Sequence, residues 1–401
     1  MNAPYPLKPE PMTLTEEQAA IRAGEAGPVL AKCMETMVRY GEAFGAPRLV
    51  PIKSAHLTGS FKIFFYTAYY ELVRQLVEAG AKVKVPTTLN PRPGYDYRPQ
   101  NRIVFRSQKW HEDQLEALGV TPNYSCVCYA YDNIPEFGDV LGWAESSAII
   151  YANSVIGARS NRNAIMIDIC HAVTGLAPEF GFLLDENRHA QIHIKLDIEE
   201  MDAAALGFLI GKICVDKTPV LDYHPFNLHE LKNMGAAMAS TGGTTMFHVV
   251  GLTPEAPTLE AALGGAEPER TVTITQSDLD DLKASRAMQR ESAVIAFGCP
   301  QMTLEEALEV GRHFQGRTLK KPVLFHLVPA AYEAFLDSEV GRGCTEAGVE
   351  VLSHCPLAGL SLRIGVGKQQ VLTPSGKLHY YLEGAKYADL DDILELTGAA
   401  A

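Results

Sequence analysis

Residues 291–303 read Glu-Ser-Ala-Val-Ile-Ala-Phe-Gly-Cys-Pro-Gln-Met-Thr. Glu291 to Phe297 is a short apolar run stopped by Gly298, the pattern of a strand covered on both faces. Thr303 with Glu306 three positions on forms a capping box, which predicts a helix start. Downstream, Pro322 to Leu327 repeats the apolar run, Ala330 to Val340 has helical character after Pro329, and Gly348 to Leu352 gives a third strand. The order β-α-β-α-β predicts a parallel, doubly wound sheet and an α/β fold class.

Cys299 and Cys355 fall just past the ends of two of these strands, the edge along which such sheets bind ligands. A third loop, Tyr124 to Tyr129, carries Cys126 and Cys128. None of the loops contains a CxxC pair, so none would hold a metal alone. Each cysteine taken singly also reads as a small buried apolar group. A proline after Cys299 and after Cys355 restricts the backbone and removes an N–H, which packing does not call for. The three loops together suggest one metal or cluster site.

The 401 residues, 47% apolar, bound a globular chain large enough for two or three lobes. A formal charge of −13 without a basic patch disfavours nucleic acid as a partner. The start, MNAPYPLKPEPMTL, lacks a signal-type apolar core, and no run nears the roughly 20 apolar residues of a membrane span. Eight cysteines without secretory context favour metal binding or chemistry over disulfides, and a cytoplasmic location.

Taken in order, residues 1–12 are proline-rich and expected to be extended. Two helices follow, ended by Gly24 and near Gly45, with Cys33 as a core residue of the second. Ile52 to Gly59 (IKSAHLTG) reads as a polar, flexible segment before a long helix from Phe61 to Ala79. Its Ser54, His56, Thr58 and Gly59 suit either a ligand contact at free helix N–H groups or plain N-capping. Lys82 to Val85 reads as a strand leading into Pro86-Thr-Thr-Leu-Asn-Pro91, where Thr87, Thr88 and Asn90 form a rigid set of hydrogen-bonding groups or a simple turn. Gly94 to Lys109 reads as a long surface loop and His111 to Leu118 as a short helix. Cys126 is expected to end a short strand.

Trp143 to Ser147 opens a helix closed by Gly157. Capping explains one of Glu145, Ser146 and Ser147 at its start, not all three. Asn153, Arg159, Asn161 and Arg162 follow; the arginines suit either a carboxylate clamp or a solvated helix end. Ala164 to Ile169 and Gln191 to Leu196 read as strands, Asp202 to Val215 and Leu228 to Ser240 as helices. Residues 255–270 look like an acidic linker before a strand at Thr271 to Thr275. Val371 to Tyr380 is a Pro/Gly turn carrying Lys377 and His379, and Asp389 to Thr397 an amphipathic helix.

Together the stretches SAHLTG, VKVPTTLNP, the Cys126 loop, WAESSAIIYANSVIGARSNR, LKNMGAAMASTGG, FGCPQ, the SHCP loop and PSGKLHYYLEGA resemble the aconitase X family, its catalytic large part. Cys128 departs from the family pattern after Cys126. The resemblance implies an aconitase-like core of several α/β/α lobes with doubly wound parallel sheets. The expected division is an extended segment at 1–12, N-terminal lobes over 13–270, and a C-terminal lobe over 271–401 carrying two of three cluster cysteines. It implies a hydro-lyase whose Cys126, Cys299 and Cys355 hold an iron–sulfur cluster ([4Fe-4S] or [2Fe-2S]) or a mononuclear iron. Three protein thiolates would leave one iron open to substrate. That iron would act as a Lewis acid on the departing hydroxyl while a base takes the α proton. Glu145, His56 and Lys377 are the catalytic candidates. Ser54, Thr58, Gly59, Thr87, Thr88, Asn90, Ser146, Ser147, Asn153, Arg159 and Asn161 are the substrate-binding candidates.

In the wider superfamily the base is a serine on a swivelling domain. That domain is expected to be absent from this chain and supplied by a small partner subunit, making a cytoplasmic heterodimer. The substrates the resemblance offers are cis-3-hydroxy-L-proline, giving Δ1-pyrroline-2-carboxylate, and mevalonate 5-phosphate. The first is preferred, because GCPQ and SHCPLA depart from the archaeal form and no extra phosphate-binding run is evident. A non-catalytic metal-binding subunit and a zinc site on the same thiols are the competing readings.

Overall fold

The computed structural model describes residues 11–60, 62, 67–94, 102–284, 293–361 and 370–398. Three parallel sheets organise it, and in each the chain enters at an inner strand and winds outward to both sides.

The first lobe opens with α1 (Glu16–Ala23), closed by Gly24, and α2 (Pro28–Ala43), both as the glycine spacing predicts. It continues through β1 (Leu49–Pro51), β2 (Ser54–Leu57), α3 (Thr67–Glu78), β3 (Thr87–Leu89), α4 (Arg102–Ala117), β4 (Leu141–Trp143), α5 (Ser146–Tyr151), α6 (Ile165–Thr174) and β5 (Leu176–Pro178). β2 lies between β3 and β4, all parallel, while β1 pairs antiparallel with β5.

Several expectations fail here, each for a physical reason. Ser54 to Leu57 is a fully buried strand, not a flexible segment, because its polar side chains find internal partners: Trp143 Nε1 donates to Ser54 Oγ at 3.2 Å. Lys82 to Val85 forms no strand; the N–H groups of Val83 and Lys84 go to Leu118 O and Ala172 O, and the strand is Thr87–Leu89. The loop expected over 94–109 is helical from Arg102 onward, its residues 95–101 lying outside the described ones. Gln108, His111 and Glu112 on its inner face are buried and polar, which hides the apolar period. Ala164 to Ile169 begins a helix rather than a strand. Every residue from Ile167 to Val173 is buried, so no period shows. Cys126 sits in irregular backbone before a single 3-10 turn, Cys128–Ala130, instead of ending a strand. The expected extended segment lies outside the described residues except for its last two.

The second lobe comprises β6 (Ile192–Asp197), α7 (Ala203–Cys214), β7 (Pro219–Leu221), α8 (Leu228–Thr241), β8 (His248–Val249), α9 (Leu259–Ala262), β9 (Arg270–Thr275) and α10 (Gln276–Ala284), with strand order β8-β7-β6-β9. α7 lies directly on α8: a Cβ at Gly207 would stand 2.2 Å from Met234 O. Residues 255–270 are no free linker, since Ala256, Ala262 and Leu263 are buried with Val220. β9 pairs along the whole of β6, so the strand at Thr271 to Thr275 completes this second sheet.

The third lobe follows the sequence most closely. It contains β10 (Ala293–Met302), α11 (Leu304–Gly311), β11 (Val323–Leu327), α12 (Pro329–Asp337), α13 (Glu339–Ala347), β12 (Val349–Leu352), α14 (Pro356–Ser361), β13 (Gln370–Thr373), α15 (Gly376–Tyr381), β14 (Lys386–Tyr387) and α16 (Leu390–Thr397). The capping box of Thr303 and Glu306 is formed, and Asp389 caps α16. The helical stretch after Pro329 is two helices divided at Ser338, which caps the second. The turn expected at 371–380 is a strand followed by a helix capped by Ser375. The strand order β12-β11-β10-β13-β14 is all parallel, so the winding reverses between β10 and β13. Phe297, Phe314, Phe325 and Phe335 fill its core. Among the described residues no helix is long and apolar enough to cross a membrane.

Candidate active site

The site lies where the carboxyl ends of the first and third sheets meet. At the end of β2, His56 is fully buried, with Thr88 Oγ1 at 2.8 Å from Nδ1 and Asn90 Oδ1 at 3.0 Å from Nε2. Asn90 Nδ2 donates to Glu145 Oε2 at 3.0 Å, so its carbonyl oxygen faces His56 and places the imidazole proton on Nε2. Asn133 Nδ2 donates to Thr88 Oγ1 at 3.0 Å from behind. Burial pushes the imidazole down to about 4, so His56 is neutral near pH 7.

Two residues past β4, Glu145 caps α5. Its Oε1 accepts from Ser147 N–H at 3.2 Å and from Ser147 Oγ at 2.7 Å. Lys377 Nζ, reaching across from α15 of the third lobe, donates to Glu145 Oε1 at 2.5 Å and to Ser147 Oγ at 3.1 Å. Burial raises the Glu145 carboxyl, but the Lys377 charge overrides it and leaves the pKa at about 2. Burial lowers the ammonium of Lys377, and Glu145 more than restores it, so its pKa lies above the usual lysine range. The pair is an anion and a cation across the neutral range.

The three cysteine loops converge on Lys377. Cys299 lies inside β10, in the irregular stretch between Phe297 and Met302 rather than past the strand's end, and Lys377 follows β13; the winding reverses at these two strands, and Ser375 Oγ donates to Cys299 O. Gly298 has φ 97°, and a Cβ there would stand 2.2 Å from His326 O, so only glycine fits. The Cys299–Pro300 peptide is cis. Cys355, past β12, donates its N–H to Arg92 O at 2.8 Å, which ties it to the first lobe. The segment leading to Cys126 hangs on the end of β3 through Ser125 N–H to Leu89 O at 2.9 Å. Burial pushes the thiols of Cys126 (to about 12), Cys299 and Cys355 up, while the Lys377 charge acts to lower all three.

All three are free cysteines. Among the described residues no three His, Cys, Asp or Glu side chains are drawn around a single ion. Thiolates on separate irons of a cluster stand farther apart than the ligands of one ion. Two buried free thiols, Cys126 and Cys299, and the half-buried thiol of Cys355 beside a cation fit a sulfur-ligated iron centre in donor type and number. The adjacent Cys128 is fully buried in the core, and burial raises its thiol strongly.

Of the sequence candidates, the structure gathers His56, Thr88, Asn90, Glu145, Ser147, Lys377, Cys126, Cys299 and Cys355. Ser146 opens α5 between Glu145 and Ser147, half-buried. The rest have structural partners. Ser54 accepts from Trp143 and Thr87 Oγ1 donates to Val85 O. Thr58 bonds Asp168 through both N–H and hydroxyl, and Gly59 O faces His111 Nε2 at 2.7 Å. Asn153 staples Ser160 to Thr245, and Arg159 pairs with Asp185. Asn161 bonds Phe180 O and Phe182 N–H beside a separate cleft of about 720 Å³. Gln301 and Asn133 were not foreseen as site residues; a glutamine inside a buried strand is the one sign that marked the first.

Such an arrangement defines a multi-lobed α/β enzyme with its chemistry placed where parallel strands end. Residues 11–186, 190–284 and 292–397 match the aconitase X first, second and third domains. The chain belongs to the aconitase X family and is a dehydratase of that family. It is 36% identical over 343 residues to the phosphomevalonate dehydratase large subunit of Thermococcus kodakarensis, spanning 82% of this chain and 84% of that one. It is 32% identical over 426 residues to the cis-3-hydroxy-L-proline dehydratase of Pseudomonas aeruginosa, spanning 96% of this chain and 70% of that one. The crystal structure of Thermococcus kodakaraensis aconitase X in its holo-form superposes with a TM-score of 0.85 at 31% identity, covering 96% of this chain and 100% of that one.

Proposed function

We propose that this chain is the large subunit of an iron-dependent hydro-lyase that removes water from a small hydroxylated carboxylic acid. The preferred substrate is cis-3-hydroxy-L-proline, giving Δ1-pyrroline-2-carboxylate. The observation that carries the reading is the meeting of three free thiols with the buried Glu145–Lys377 pair at the junction of two sheets. Cys126, Cys299 and Cys355 would hold the iron centre, and iron bound there would supply Lewis acidity toward the substrate hydroxyl.

The chain's own residues do the rest. Lys377 offers its ammonium to the substrate carboxylate and keeps Glu145 ionised. Glu145, held by Asn90, Ser147 and Lys377, accepts the hydrogen bond of the substrate hydroxyl and orients it. Neutral His56 fixes the amide of Asn90 and so the aim of Glu145. The base for the α proton comes from a small partner subunit, in keeping with relatives named as large subunits.

Among the described residues, Lys377 is the cation that acts on all three thiols, which supports a small substrate. Lys377 is committed to Glu145, Lys232 to Glu306, and Arg92 to Glu112 and the ring of Tyr124. Lys377 can meet one carboxylate while it holds Glu145, whereas a phosphate ester would call for a further cation beside it. Mevalonate 5-phosphate is the second reading, favoured by the relatives whose length this chain matches most fully. The test is an iron and acid-labile sulfide count on anaerobically purified chain, then turnover of both substrates with the small subunit added. Iron at the thiols and faster turnover of hydroxyproline support the proposal; zinc or no metal overturns it. Faster turnover of the phosphate ester transfers it to the second reading.

A further inference from the structure

Two cysteines outside the three-thiol site face each other within the first lobe. Cys33 on α2 and Cys170 on α6 are free thiols, each 1% exposed and in one core cluster. The two helices pack directly on one another, and the two thiols are near enough to influence each other's ionisation. Both sulfur-bearing residues line one cavity of about 270 Å³, whose walls also include Lys32, Thr36, Glu71 and Met166. A small solute entering this cavity meets two sulfurs together.

We propose that Cys33 and Cys170 form an oxidant-responsive dithiol in which hydrogen peroxide closes a disulfide between α2 and α6. The Cys33 sulfur attacks one peroxide oxygen, the O–O bond breaks, and water leaves with the thiol proton, giving a sulfenic acid. The Cys170 sulfur then displaces the hydroxyl from sulfur, its own proton leaves in a second water, and the S–S bond forms. Two thiols yield two electrons and two protons, and peroxide is reduced to two waters.

The order of attack follows from the surroundings. Cys33 alone of the eight cysteines has a thiol held below its ordinary value, by contact with Cys170 and then by the Lys32 charge, against burial. Cys170 is raised by the same contact and by burial, which suits the resolving partner. The link would also anchor α6 at its Asp168 end. Asp168 holds the Thr58 N–H and hydroxyl immediately after the strand that carries His56.

The experiment exposes the reduced full chain to hydrogen peroxide, alkylates it, digests it without reductant and maps the peptides by mass spectrometry. A peptide joining Cys33 to Cys170, absent after thiol reduction and absent in Cys33→Ala, is the expected result. Oxidised wild type should also melt above Cys33→Ala treated alike, because a cross-link restricts the unfolded chain. Cys170→Ala should leave a sulfenic acid at Cys33 that dimedone captures. Recovery of both cysteines as free thiols, or as separate sulfinic acids without a linked peptide, overturns the proposal.

Discussion

Gln301 and Cys126 clasp one another: Cys126 N–H donates to Gln301 Oε1 at 3.2 Å, and Gln301 N–H donates to Cys126 Sγ at 3.3 Å. The side-chain amide of Gln301 also donates to Leu327 O at 3.1 Å and to Ser353 O at 3.5 Å, while Lys232 Nζ donates to Gln301 O at 2.9 Å. One fully buried residue therefore joins the loops of Cys126, Cys299 and Cys355. The protein's own hydrogen bonds hold the three loops together, which is the preorganisation that the proposed metal site would need.

Replacing Gln301 by Leu keeps the volume but strands the Cys126 N–H and the two carbonyls. The expected cost is about 2–4 kcal/mol in urea unfolding, the range for several buried hydrogen bonds lost at once. The variant should also release its metal to a chelator faster than wild type. An unchanged release rate would show that the three loops are held independently.

Lys377 and Glu145 are each about nine-tenths buried as side chains, so removing one leaves the other charged in the interior. Lys377→Met should cost about 3–5 kcal/mol, and Lys377→Met with Glu145→Gln should recover most of that loss. Turnover should stay low in both. A double variant no more stable than Lys377→Met would mean that the pair is solvated in solution.

Asp168 and His171, on α6, give a pH dependence apart from the three-thiol site. Burial pushes the Asp168 carboxyl from 3.8 up to about 8, and pushes the His171 imidazole from 6.5 down to about 3. Between pH 3.8 and about 8 the folded chain keeps the Asp168 proton that the unfolded chain releases. This stabilisation, full below pH 3.8, is lost as pH rises through about 8. Between about pH 3 and 6.5 the unfolded chain binds a proton that buried His171 refuses, so its contribution rises with pH there and is complete above 6.5. From pH 6.5 to 8 Asp168 acts without it. Wild type should then lose about 2 kcal/mol relative to Asp168→Asn, read from urea midpoints at the two pH values. Parallel behaviour of the two proteins would mean that Asp168 is ionised when folded.

The third lobe was legible because its strands are uninterrupted apolar runs and its helices begin at capping signals, as with Thr303 and Glu306. The first lobe was less so, since its interior is unusually polar. Ser54 and His56 made a buried strand look flexible, and Gln108, His111 and Glu112 made a helix look like a loop. Of the candidate site, the sequence marked residues that the fold then gathers: the three cysteines, Glu145 and Lys377. Asn153, Arg159 and Asn161 shared the same dense polar segment as Glu145. Only the fold shows that they hold backbone together, because a staple and a binding residue use the same amide and guanidinium groups.

Asn90 and Asn153 offer the direct comparison. Asn90 joins His56 to Glu145, whereas the buried Asn153 amide donates to Ser160 O at 2.9 Å and Thr245 O at 3.1 Å and accepts from Ser160 N–H at 2.9 Å. Asn153→Ala leaves three backbone groups without a partner and should lower stability by about 2–3 kcal/mol, with kcat of the folded fraction near wild type. Asn90→Leu should do the reverse. It frees Glu145 from one of its four donors and leaves the His56 proton unmatched, so kcat should fall about 10–100-fold, the range for residues that orient catalytic groups, at a smaller stability cost. Urea unfolding and steady-state kinetics on the two variants separate the roles. A stable but inactive Asn153→Ala would move the substrate pocket toward the cleft beside Asn161.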